Sequence, residues 1–180
     1  SADRFHVTTT TGGAPRVMHH MEDYLQTEFP HLDVWLTSIT EQWAVIAVQG
    51  PKSRDILQWL VDDIDISDAA MPHMSVREGT ICGGVPTRLF RMSFTGERGF
   101  EVNVPADYGR AVWEAIWEEG KKHDACAYGT EAMHVLRAEK GYIIVGQDTD
   151  GTVTPGDAGL EWAIGKKKTD FVGIRGLTRP

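Results

Sequence analysis

Between Pro15 and Glu28 the apolar positions Val17, Met21, Tyr24 and Leu25 recur every three or four residues, which predicts an amphipathic helix closed by Phe29-Pro30. The period then changes. Asp33–Thr40 alternates Val34 and Leu36 with Trp35 and Thr37, and Trp43–Val48 is a continuous β-favouring run, so two strands are expected with Thr40-Glu41-Gln42 as their turn. Helical spacing returns over Lys52–Val61, where Ile56, Leu57 and Leu60 share a side. Pro86–Phe94 and Phe100–Val104 alternate again around the Gly-containing loop Thr95–Gly99, the pattern of a β-hairpin. Ala106–Glu119 reads as a helix stopped by Gly120, and Thr130 as the N-cap of another reaching Lys140, after the short apolar piece Ala125–Tyr128.

From Trp43 onward this order is strand, helix, strand, strand, helix, strand. It predicts an α+β fold with a split βαβ, ferredoxin-like sheet and helices on one face. Three segments follow from it. Residues 1–40 are a strand-helix-strand piece completing a partner domain, 41–145 the ferredoxin-like part, and 146–180 a Gly-rich, truncated continuation of turns and short strands. The opening SADRFHVTTTTGG and the closing GIRGLTRP suggest a piece of a longer protein.

Composition narrows the function classes. A net charge of −8 opposes binding to a phosphate backbone, and Lys166-Lys167-Lys168 is too short a basic run to reverse that. The two cysteines, Cys82 and Cys126, form no pairing framework, and the seven histidines lack ligand spacing, so no metal is expected and a reducing cytoplasm fits. Asp62, Asp63, Asp65 and Asp68 lack the central Gly and closing Glu of a calcium loop and read as a solvated linker. No stretch approaches a membrane span and the N-terminus lacks a signal-peptide layout.

One residue departs from the pattern. With Phe100, Val102 and Val104 facing a core, the pleat turns Glu101 to the other face of its strand. Pattern alone makes that a solvated face. A cavity there would instead let the carboxylate accept two parallel N–H donors from a ligand edge.

FTGERGFEV at 94–102, AVQGPKSRDIL at 47–57, LRAEKGYIIVGQD at 136–148 and VTPGDAGLEWAIGKKK at 153–168 resemble, in order and spacing, motifs of the glycine cleavage T-protein (aminomethyltransferase) family. The resemblance implies a folate-binding module in which Glu101 holds the pterin ring of tetrahydrofolate. It places Phe94 where the family commonly has a tyrosine against the folate, Tyr142 at a second aromatic, and Thr9 or Thr10 near a family asparagine. Met133 stands where the family has an arginine for the glutamate tail, and the family's catalytic acid falls before residue 1, so the piece alone is expected to be inactive. The wording is nearest to folate modules within larger heterotetrameric amine oxidases, which implies partner subunits and a flavin and NAD bound outside this chain. A stand-alone aminomethyltransferase and a non-catalytic folate-binding or assembly module are the alternatives. Arg137 and Glu139 are read as charges that fix the fold through an ion pair.

Overall fold

The computed structural model describes residues 3–178; residues 1, 2, 179 and 180, the outer ends of the first and last expected segments, lie outside the described residues. Four helices, α1 (Ala14–Thr27), α2 (Ser53–Leu57), α3 (Gly109–Lys121) and α4 (Thr130–Glu139), accompany four strands, β1 (Trp43–Gln49), β2 (Val76–Ile81), β3 (Val85–Phe90) and β4 (Gly99–Pro105). The fold is α+β. The strands form one antiparallel sheet in the order β1-β4-β3-β2.

Register divides the sheet into two faces. Val48 lies opposite Phe100 and Ile46 opposite Val102, while Leu89 meets Val102 from the other side. These residues share a face because side chains directly across a ladder point the same way. Phe100, Val102, Val104 and Leu89 are fully buried there under Ile56 and Leu57 of α2 and Val112 and Ile116 of α3. Gly109 permits the close approach of α3, since a side chain at that position would run into Ala44.

Several expectations are corrected. Asp33–Thr40 forms no strand, and none forms in residues 3–10. Alternation alone does not make a strand without a neighbour to complete its ladder. The helix expected over Lys52–Val61 ends at Leu57 because the following backbone bonds to the far end of β2: Cys82 N–H donates to the Leu60 carbonyl at 2.7 Å and Asp62 N–H to that of Thr80 at 3.0 Å. β3 stops at Phe90 rather than Phe94, leaving an eight-residue connection to β4. Gly120 lies inside α3, packed against Ala125. β2 was not anticipated; it pairs with β3 through the turn Cys82-Gly83-Gly84, all three at positive φ. Segment 125–128 holds no strand, so the last strand of a ferredoxin-like sheet does not form and β1 has a free edge among the described residues. The segment after α4 holds turns and 3-10 helix and no strands among the described residues.

The polar stretch after α2 is structured. Asp62 accepts from the Gly83 and Gly84 amides, Asp63 from the Thr80 amide and Asp65 from that of Ser67. Hydrogen bonds from Gly83 and Gly84 hold the Asp62 carboxyl below the usual carboxylate range. No group of three or more His, Cys, Asp or Glu among the described residues is placed to hold a metal ion, and no helix there is long and apolar enough to cross a membrane.

Candidate functional site

Glu101 pairs with Ala47 on β1 and Phe90 on β3, which puts its side chain on the face opposite the core. Asn103, Arg88 and Val45 share that face. Glu101 is half-buried, and burial pushes its carboxyl above its ordinary value. No described residue donates a hydrogen bond to that carboxylate or pairs with it; Asn103 reaches only the Glu101 backbone carbonyl, at 3.2 Å. Arg88 is engaged elsewhere, 2.8 Å from Glu78 and stacked 4.4 Å over the Trp43 ring. A partly desolvated acid without a donor among the described residues contributes nothing to the fold through that group.

Tyr128 enters from the loop before α4. Burial raises its phenol, and the charge of Glu101 raises it further, so the two groups lie within electrostatic reach. No local pattern marks Tyr128, which is 27 positions from Glu101 and comes within its electrostatic reach only through the tertiary fold. The N-terminal segment also crosses this face: the His6 ring lies 5.9 Å from that of Phe90 and its Nδ1 3.5 Å from Arg88.

The other expected site residues are placed less directly. Phe94 is half-buried in the loop between β3 and β4, not in a strand. That loop is braced by Thr95 Oγ1 donating to Gln49 Oε1 at 3.4 Å and by a 3.0 Å ion pair between Glu97 and Lys140. Gly96 has φ +81° and faces the Lys140 stem so closely that any side chain would collide with it, which seats the end of α4 on the loop. Tyr142 follows α4, 41% exposed, its carbonyl accepting from Arg137 at 3.0 Å. Arg137 pairs with Asp148 rather than Glu139, so the fixing ion pair forms with a different acid. Thr9 is half-buried, its hydroxyl donating to the Thr10 carbonyl, which also receives the Gly13 amide as the chain turns into α1. Neither Phe94, Tyr142, Thr9 nor Thr10 is hydrogen-bonded to the Glu101 carboxylate.

A cleft of about 820 Å³ runs along the free edge of β1, walled by Ala47 and Gln49 on one side and by Trp113, Trp117, Tyr128 and Met133 on the other. Its size suits a drug-sized ligand. Glu101, Phe94, Tyr142, Thr9 and Thr10 are not among the residues that line the cleft; Ala47, the partner of Glu101 across the ladder, and Tyr128 are. Met133 presents an apolar wall to the cleft.

With this geometry in place, residues 1–168 match the model of the GCVT N-terminal domain. The chain belongs to that family. GCVT N-terminal domain relatives at high identity include the sarcosine oxidase subunit alpha of Corynebacterium sp. (strain U-96), 52% identical over 98% of this chain, and that of Rhizobium meliloti (strain 1021), 46% identical over 99%. The aminomethyltransferase of Thermotoga maritima is 35% identical over 87% of the chain and 42% of its own length. The chain spans 18% of the length of the two sarcosine oxidase subunits.

Proposed function

We propose that this GCVT N-terminal domain chain is part of the folate-binding module of a sarcosine oxidase alpha subunit, passing the one-carbon unit of oxidised sarcosine to tetrahydrofolate to give 5,10-methylenetetrahydrofolate. The observation that carries the reading is Glu101, a half-buried carboxylate without a donor among the described residues, on the face opposite the core. The pterin of tetrahydrofolate offers an amino group and a ring N–H side by side, and an acceptor-only carboxylate matches that edge bidentately. Identity of 52% to the oxidase subunit against 35% to the aminomethyltransferase puts the stand-alone transferase second.

On this reading Glu101 orients the ring, Tyr128 lies within reach of the same edge, and Phe94 and Tyr142 offer aromatic surface as the surrounding protein closes on it. Holding the folate nitrogens where the one-carbon unit emerges is a proximity effect. A flavin elsewhere in the complex, with NAD and the other subunits, supplies the redox chemistry. Residues 1–40 and 146–180 then belong to neighbouring folding units.

The test uses the complete oxidase complex and titrates tetrahydrofolate by calorimetry. Glu101→Gln keeps the shape and loses the charge-assisted pair, so affinity falls by about tenfold or more while sarcosine consumption without folate is retained. Unchanged folate affinity in that variant overturns the assignment.

A further inference from the structure

Two arginines pair with a single carboxylate on the core side of the sheet, away from Glu101, and a third, Arg91, lies within electrostatic reach of it. Arg54 of α2 and Arg91, just past β3, flank Phe100 with guanidinium carbons 5.7 and 5.2 Å from the ring centre. Asp68 lies 2.7 Å from Arg54 Nη2 and 3.6 Å from Arg98 Nη2. Arg54 Nε donates to the Ile66 carbonyl at 2.6 Å and Arg91 Nη1 to that of Gly99 at 3.1 Å. Guanidinium groups stay protonated, so three cations face one anion.

The mismatch shows in the groups themselves. Burial lowers the Arg91 value, and the charges of Arg54 and Arg98 lower it further. Arg91 Nε is buried without a hydrogen-bond acceptor among the described residues, while Arg54 Nη2 has only the exposed Asp68 carboxylate, at 2.7 Å. Arg54 is held and its acceptor is loose: the Arg54 side chain is 13% exposed and that of Asp68 69%, while Arg98 reaches in from the surface, 39% exposed. Neighbouring acids are committed elsewhere, Asp62, Asp63 and Asp65 to backbone amides and Glu97 to Lys140.

We propose that Arg54, Arg91 and Arg98 form a binding site for a small multivalent oxyanion, a phosphate or a dicarboxylate, which takes the place of the Asp68 carboxylate between Arg54 and Arg98. Guanidinium forks match both chemistries bidentately, and a doubly charged ion balances the cluster where one aspartate does not.

Calorimetric titration of the full chain at low ionic strength with inorganic phosphate and, separately, succinate tests this, with sodium chloride as the control for simple screening. Saturable binding of either probe is expected, and which of them binds identifies the source. Asp68→Asn removes the competitor and tightens binding about tenfold, whereas Arg98→Gln weakens it by a similar factor. Because the Arg98 side chain is exposed and Asp68 is its only ion-pair partner among the described residues, Arg98→Gln should leave folding intact and decides the matter if Asp68→Asn does not fold. Glu101→Gln leaves phosphate affinity unchanged, which separates this site from the folate reading. No saturable binding of either probe, or binding indifferent to the substitutions, overturns the proposal.

Discussion

α1 and α3 are alike on paper, fourteen and thirteen residues long and each with an apolar stripe, yet α3 buries Val112 and Ile116 while α1 buries no residue at all. The difference lies in what each stripe meets. α3 lies on β1 and α2, and every buried hydrophobic side chain among the described residues falls between Val48 and Ile116. α1 rests Met21, Tyr24 and Leu25 against the irregular chain from Phe29 to Leu36 and against Val172, around a shallow apolar groove of about 280 Å³. An amphipathic stripe records a need for a partner layer and not its presence, because most helical stability comes from the packed face. Under α3 that layer is a packed sheet face; under α1, among the described residues, it is a shallow groove.

Phe100→Ala is the severest test of where the core lies: removing a fully buried ring beside α2 should destabilise by about 3–5 kcal/mol, read by urea denaturation. A loss under about 1 kcal/mol, the centre of ordinary point substitutions, would move the core elsewhere. Ile116→Ala and Met21→Ala set the two helices against each other directly. The first should lower stability by about 2–4 kcal/mol and the second by less than about 1 kcal/mol; equal losses would show that α1 is as firmly layered as α3. Gly96→Ala follows, at about 1–2 kcal/mol for a left-handed residue that also collides with Lys140. Faster amide exchange in α4 is the accompanying sign, and unchanged exchange would detach α4 from the loop.

What could be read in the chain tracks locality. The spans of α1 and α4 and the outward turn of Glu101 depend on periods within a few residues, and those expectations match the structure closely. β2 was illegible because Val76-Arg77-Glu78-Gly79 does not alternate, although Gly83-Gly84 marked its turn. Asp33–Thr40 alternates without a strand beside it, and α2 is cut short by backbone bonds to a segment about twenty residues downstream. The same limit holds at the site. The facing of Glu101 follows from its own strand, but Tyr128 and the free edge of β1 follow from tertiary placement that no local pattern encodes.

The smallest effect is the most discriminating. Burial raises the Glu101 carboxyl in the folded chain above its ordinary value near 4.5, so the charged form is disfavoured on folding. Below that pH the acid is protonated in both folded and unfolded chains and contributes no difference. As pH rises through the raised folded value, the unfolded chain releases its proton more readily, and stability is lost. Glu101→Gln has no proton to release; it should match the parent in stability at pH 4 and exceed it modestly at pH 7, measured by urea midpoints across that range. A residue there for the fold would lose stability when neutralised, whereas one held for a ligand should gain it while folate affinity falls. A parent more stable than the glutamine variant at pH 7 would mean that the carboxylate has a donor within the protein, and with that the outward-facing role would fail.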